Sequence, residues 1–406
     1  MSNRESEFSK VLNTGDVLVV AFGAMIGWGW VVSSGQWITS GGVLGTVLGF
    51  IIGGIMIYFV GLCYAELTTA MPKCGGEHVF SYKAFGSIGA YICTWSIILS
   101  YIGVVCYEAV SFPTILQYVF PKIARGYLYS VGGFDIYFTW LLIAIGMALL
   151  ILFLNIIGMK KAARFQKILT CVIAAVGIAL VAGAAYSGNV NNLQNQLLVG
   201  DTNGEIIQNI AKVAIMTPFF LFGFDVIPQA AEEINVPLKK LGKMMIFSII
   251  MAVSFYVLVV LAVGYVMDAG QIKTSTSSAT GLVTADAMGV AFNNANMAKV
   301  LIIGGLCGIV TSWNSFLIGG SRALYSMSVS YMLPRKFAVL HKKYNTPVNS
   351  LLLIGALSVI SPFFGRSMLV WIVDAGNFAC CFAYCIVSLS FIVLRRKEAD
   401  MRRPYK

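Results

Sequence analysis

Phe22-Gly23-Ala24-Met25-Ile26-Gly27-Trp28-Gly29-Trp30 lies in the middle of an apolar run, roughly residues 16–40, that is long enough to cross a bilayer. Two glycines flank a tryptophan where a regular helix would have to continue, and glycine permits conformations that leave backbone groups unpaired. Unpaired amides in hydrocarbon are costly unless they line a cavity. An interrupted helix turns that cost into a site, because its free N–H groups and the positive end of the following half-helix attract a carboxylate. Close helix packing through Gly23 and Gly27, four residues apart, is an equally good reading of the spacing alone. The stretch is not a dinucleotide fingerprint: Val32 stands where a third glycine belongs, and no strand precedes it.

The rest of the chain sets this run among others like it. Of 406 residues, 58% are hydrophobic and 11% charged, too little charge to cover a water-soluble surface of this size. Charge-poor runs long enough to span recur at roughly 16–40, 43–70, 87–118, 137–157, 165–187, 207–231, 244–267, 297–328, 348–363 and 368–394. Residues 1–15 are polar and have no signal-peptide core. With the amino terminus placed inside, the inner loops and tails hold 21 Lys and Arg, from Arg4 to Lys406, against 6 outside, with Arg322 left inside segment eight. That asymmetry predicts both termini on the cytoplasmic side, and the membrane is expected to be the plasma membrane. It also explains the net charge of +11 without nucleic acid, since basic loops face anionic lipid.

Nine cysteines invite a disulfide or metal reading, yet Cys63, Cys93, Cys106, Cys171, Cys307, Cys380, Cys381 and Cys385 lie in apolar spans, where a thiol packs as a small hydrophobe. The two histidines, His78 and His341, fall in inner loops without ligand spacing. No metal site, cofactor or nucleophilic pair is therefore expected, and enzyme readings lose their support. A channel would need rings of repeated polar residues along one pore, which the runs do not carry. No linker divides the chain; the outer loops near 188–206 and 268–296 read as connections, and the inner stretches 71–86 and 329–346 as room for short surface helices.

Segment six repeats the interruption of segment one. Pro218 and Gly223 break Thr217-Pro218-Phe219-Phe220-Leu221-Phe222-Gly223-Phe224-Asp225, and Asp225 sets a carboxyl just past mid-membrane. Segments one and six each open a set of five, and an odd number of crossings turns the second set upside down. Interrupted segments at matching positions of two halves point to a midplane substrate site in an inverted-repeat transporter.

Four stretches resemble the amino acid-polyamine-organocation superfamily of permeases. They are Ile26-Gly27-Trp28-Gly29; Tyr64-Ala65-Glu66-Leu67 with Pro72-Lys73-Cys74-Gly75-Gly76-Glu77; Gly223-Phe224-Asp225 with Ala231-Glu232-Glu233 and Pro237; and Ser321-Arg322-Ala323-Leu324-Tyr325-Ser326-Met327 with Leu333-Pro334 and Thr346-Pro347-Val348-Asn349. The resemblance implies an all-α polytopic membrane protein of the leucine-transporter type. It has ten helices in two inverted five-helix repeats, 16–187 and 207–394, helices one and six broken at mid-membrane, between a tail at 1–15, an outer loop at 188–206 and a basic tail at 395–406. Relatives usually carry twelve helices, so eleven and twelve are missing from this chain, which leaves the oligomeric state open.

By the same resemblance the cargo is expected to be an amino acid moved by alternating access; Trp28 filling space, and the lack of an arginine or lysine near either break, point to a small neutral zwitterion. The backbone of Ile26, Gly27, Trp28 and Gly29 is expected to take its carboxylate, and carbonyls around Phe222, Gly223 and Phe224 its ammonium. Phe219, Phe220, Phe222 and Trp313 are expected to form an aromatic lid. Trp28 departs from the small residue common in the family and is expected to shrink the pocket or plug it. A polyamine or organocation transporter, or a non-transporting nutrient sensor on the same fold, are the alternatives.

Among the remaining polar groups, Glu108 and Asp374 read as solvated near outer ends, Glu66, Glu232 and Glu233 as partners of inner lysines, and Asn155 and Asn377 as interhelical hydrogen bonds. Two couplings stay open. Some relatives place a lysine midway along helix five, but Thr170-Cys171-Val172-Ile173-Ala174-Ala175 has none. A sodium site would use helix-one carbonyls with Thr311 and Ser312. Proton-sensitive transport would use Asp225, and an ionisable group at that depth favours it as a pH-responsive gating residue.

Overall fold

Hydrocarbon offers backbone groups no partners, so a long apolar run closes its hydrogen bonds within itself as a helix. The computed structural model, which describes residues 8–194, 196–278 and 280–406, has helices on every run named above; Arg4 lies outside the described residues. α1 (Thr14–Met25) and α2 (Gly29–Val32) precede α3 (Ser34–Ala70). α4 (Glu77–Val119) leads through an antiparallel hairpin, β1 (Tyr127–Val131) and β2 (Phe134–Tyr137), into α5 (Phe138–Ile156), α6 (Met159–Ser187) and the short α7 (Val190–Gln194). α8 (Asn203–Leu221) and α9 (Val226–Gln229) are followed by α10 (Leu238–Val266), α11 (Ala269–Thr276), α12 (Val283–Ala291), α13 (Ala295–Val329), α14 (Val348–Ile360) and α15 (Gly365–Lys397).

Among the described residues, eight helices are long and apolar enough to cross a membrane, and Thr14–Met25 and Val348–Phe364 are shorter apolar helices. Their outward faces expose large apolar side chains, among them Phe59, Ile88, Ile178, Ile215 and Phe247. A surface of that kind belongs in lipid, and the chain is a polytopic membrane protein.

α3 and α4, at 37 and 43 residues, are each two helices joined at a bent glycine, Gly42 and Gly86. At Gly42 the backbone takes φ +78°, open to glycine at little cost, and the amides freed by the bend are paired from a loop. Val43 N donates to Gln196 O and Leu44 N to Leu197 O, both at 2.8 Å. The bend thus separates the first two apolar runs without leaving a donor unpaired in the membrane.

α13 forms the centre, packed against α1, α4, α6, α12 and α14, while α3 packs on α8 and α10, and α4 on α15. Val11 N and Leu12 N donate to Glu233 O at 2.9 and 3.0 Å, and Asn235 N to Leu12 O at 2.8 Å, tying the entry of α1 to the segment beyond α9.

Several local expectations change. The inner stretch 71–86 does not form a surface helix; it opens α4 and is enclosed, with Glu77 and His78 fully buried. A buried imidazole needs partners on both nitrogens, and the His78 ring has Thr94 Oγ1 at 2.9 Å and Ser330 Oγ at 2.8 Å. The connections at 188–206 and 268–296 hold helices: α7 in one, α11 and α12 in the other. α12 is docked where Thr284 Oγ1 donates to Trp30 O at 2.7 Å and meets Ser34 Oγ at 2.6 Å. Glu66 and Glu233 pair with arginines instead of lysines. Arg395 Nη2 lies 2.5 Å and Arg403 Nε 3.0 Å from Glu66, and Arg322 Nε 2.8 Å from Glu233. The planar guanidinium offers several fixed donors, which lets a buried carboxylate be matched without water.

Candidate functional site

The first break is confined to Ile26, Gly27 and Trp28. α1 closes with Ile26 N donating to Phe22 O at 3.0 Å, and the helix resumes at Gly29. The N–H groups of Gly27, Trp28 and Gly29 make no backbone hydrogen bond among the described residues.

At the second break Phe222 is extended and Gly223 turns the chain at φ +124°. A methyl on Gly223 would stand 2.8 Å from Ala24 Cβ and 2.9 Å from the Ala24 carbonyl carbon, so the two breaks pack directly on one another. Of the three carbonyls expected to meet an ammonium, those of Gly223 and Phe224 are taken inside the turn by Val226 N and Ile227 N, both at 3.2 Å. The carbonyls of Phe220, Leu221 and Phe222 accept no backbone N–H among the described residues.

A cavity of about 260 Å³ lies against both breaks. Gly27, Trp28 and Gly29 line it from the first, and Phe219, Phe220 and Phe222 from the second. Ser312 and Phe316 of α13, Tyr107 and Glu108 of α4, Tyr256 of α10 and Asp374 of α15 complete the wall. Phe220 packs edge-on against Trp37 at 4.7 Å, and a methyl on Gly29 would meet its ring carbons at 2.6 Å. Phe222 stacks on Phe316 at 4.9 Å. Ile26, Gly223, Phe224, Asp225, Thr311 and Trp313 are not in the lining. Trp313 is enclosed within the protein, and the aromatic that α13 presents to the cavity is Phe316.

Glu108, expected to be solvated, is buried. Its Oε1 accepts from Ser312 Oγ at 2.5 Å, and its Oε2 has no hydrogen-bond partner among the described residues. The reason is packing: the carboxyl points to α13 and the first break, where the bundle and not solvent surrounds it. No lysine or arginine lines the cavity.

Thr311 serves the helix itself, its Oγ1 donating to Gly308 O at 2.9 Å. Its carbonyl accepts from Gln166 Nε2 at 3.0 Å, and the same amide donates to Ser315 Oγ at 2.8 Å, which donates on to Val20 O of α1 at 3.2 Å. Asn314 Nδ2 donates to Gln166 Oε1 at 2.8 Å, and Asn155 Nδ2 to Asn314 Oδ1 at 2.7 Å. Asn155 thus makes the interhelical bond expected of it, and the Gln166 amide lies beside Gly23 of α1 and Thr311 of α13.

Asp225 is fully buried and accepts from Tyr101 Oη, from Tyr384 Oη at 3.0 Å and from Gly223 N at 2.8 Å. One carboxyl therefore ties α4 and α15 to the second break. Gln166 and Phe316 escaped sequence reasoning, because a lone amide and one more aromatic in an apolar run carry no signal of their own. Glu108 did carry one, an ionisable group within a charge-poor run, but its place toward the outer end of that run was read as solvation.

The sequence pattern of the family described as "Amino acid permease" matches residues 12–406. The chain is 26% identical to the branched-chain amino acid permease BcaP of Bacillus subtilis, over 99% of this chain and 84% of that protein. It is 23% identical to the methylthioribose transporter of the same organism, over 100% of this chain and 85% of that protein. To the aspartate-proton symporter of Bacillus subtilis it is 25% identical, over 99% of this chain and 76% of that protein.

Proposed function

This chain belongs to the amino acid permease family, and we propose that it carries small neutral amino acids across the plasma membrane by alternating access. In this reading ten helices form two inverted repeats, 16–187 and 207–394, and both termini are cytoplasmic. One observation carries it: a 260 Å³ cavity with unpaired amides on one wall, an unpaired carbonyl on another and no basic side chain. That volume lies below the usual range for drug-sized ligands. The relatives named above are described as carrying branched-chain amino acids, methylthioribose and aspartate, so the support for a small neutral cargo comes from the cavity and not from kinship.

The substrate carboxylate rests on the N–H groups of Gly27, Trp28 and Gly29, and its ammonium on the open carbonyl of Phe222. Neither end needs a charged side chain, because buried unpaired backbone groups gain a full hydrogen bond from the ligand. Phe219, Phe220 and Phe222 close over it with Phe316.

A carboxylate at Gly27 stands beside Glu108, whose Oε1 lies 3.6 Å from where a methyl on Gly27 would be. Two ionised carboxyls that close in a water-poor site repel, so the substrate arrives with a proton on Glu108. Uptake then falls as pH rises. The Gln166 amide argues against sodium at Thr311 and Ser312, and Asp225, away from the cavity, acts by holding the second break. The test is liposome uptake against pH, with and without a sodium gradient. Glu108→Gln is expected to retain exchange and lose the pH dependence; strict sodium dependence with an unchanged pH profile would overturn the coupling. A cationic cargo is the second reading, favoured by Asp374 at the cavity edge. Arginine or a polyamine competing better than alanine, and losing that advantage in Asp374→Asn, would establish it.

A further inference from the structure

A second chamber of about 150 Å³ adjoins the central cavity, at the ends of α4 and α15 that lie nearest the β hairpin. Trp28, Val32 and Tyr107 line both spaces, so the Trp28 indole stands between them. The far wall is built of hydroxyls, from Ser111, Thr114, Tyr118 and Thr280, and of one cation, Arg366.

Arg366 gains nothing structural from its position. It is the second residue of α15, where the helix dipole disfavours a positive charge. Its side chain is exposed and makes no ion pair among the described residues. A guanidinium at the positive end of a helix, facing a chamber of hydroxyl groups, adds two attractions for an anion. The charges of the two chambers are opposite: the central one holds Glu108 and Asp374, the second one Arg366. Arg366 and Asp374 are eight residues apart on α15, about 12 Å at 1.5 Å per residue. The two linings share only Trp28, Val32 and Tyr107, with Asp374 in one and Arg366 in the other, so the chambers are two stations.

We propose that the second chamber is a loading subsite, in which Arg366 holds the carboxylate of an incoming amino acid before it passes Trp28 into the central cavity. The inference rests on the reading of this chain as a carrier of amino acids. The carboxylate is the recognised group; the Ser111 and Tyr118 hydroxyls are placed to donate to its remaining lone pairs, and the side chain of the substrate has only the space that 150 Å³ leaves.

The subsite serves entry from one face only, and this separates it from a structural role. Uptake of labelled alanine is measured in whole cells, where the hairpin face meets the medium, and in inverted membrane vesicles, where the opposite face does. Arg366→Ala is expected to raise the KM for entry from the hairpin face about fivefold, the size of an exposed ion pair, and to leave the KM from the other face unchanged. Arg366→Lys, which keeps the charge, restores most of the loss and guards against a folding defect. Equal shifts from both faces, or no shift from the hairpin face, overturn the subsite. Absence of alanine flux in the parent protein overturns the transport reading instead.

Discussion

Replacing Asp225 separates a residue that holds a helix break from one that carries the coupling proton. Asp225→Ala removes the acceptor for three donors at once, Tyr101 Oη, Tyr384 Oη and Gly223 N, all in a fully buried site. An unpaired buried donor costs about 1–3 kcal/mol. Both tyrosines can shift toward other acceptors, so the sum falls short of three full penalties, at roughly 3–6 kcal/mol. That is a large part of the stability of a typical domain. Asp225→Asn keeps one oxygen for Gly223 N and Tyr384, and its new amide faces Tyr101, whose hydroxyl can turn to accept; its cost is about 1–2 kcal/mol. Heat unfolding of the purified protein in detergent should therefore separate the two variants widely, with Asn close to the parent. Liposome uptake by Asp225→Asn should keep the parent's pH profile. Equal destabilisation by Ala and Asn, or a pH profile flattened by Asn but not by Glu108→Gln, would refute this reasoning and return Asp225 to the role of proton carrier.

Three further outcomes follow from the packing. Gly29→Ala places a methyl 2.6 Å from the Phe220 ring. Overpacking of that kind costs about 1–3 kcal/mol, so substrate affinity should drop about tenfold or more, while Gly146→Ala, with open space around it, should be silent; equal affinities would remove Phe220 from the lid. Trp28→Ser clears the indole shared by both chambers, and phenylalanine should then compete with alanine uptake where it does not for the parent. Arg322→Ala leaves Glu233 buried without its cation, a loss of about 3–5 kcal/mol that should appear as a large fall in melting temperature; an unchanged melting temperature would mean that the pair is solvated.

The membrane-spanning runs were legible because lipid makes the rule simple: twenty apolar residues without a paired alternative become a helix. The boundary between residues 40 and 43 even anticipates the bend at Gly42. The two breaks were legible for the same reason, since Gly27, Gly29, Pro218 and Gly223 are the residues that interrupt a helix cheaply. What the sequence did not hold is helical phase and partner choice. Ser312 and Phe316 are four apart and share the face of α13 that meets the cavity, whereas Trp313 is rotated about 100° away from Ser312 and turns into the bundle. Burial of His78 depends on Ser330, 252 residues away, and the choice of arginine for Glu66 on residues beyond position 394. The β hairpin, turning at Gly132-Gly133, and α12 are too short to span a membrane, so a reading by long apolar runs passes over them.

The central claim is that backbone groups at two facing helix breaks hold a small zwitterion for transport. Its most direct test uses the purified protein in liposomes, with labelled alanine outside and unlabelled glycine, ethylamine or glutamate as competitors. The account predicts saturable alanine uptake that glycine suppresses and that ethylamine, which lacks the carboxylate, and glutamate, which has one too many, leave nearly untouched. Alanine flux absent under every gradient, or ethylamine competing as well as glycine, would contradict it.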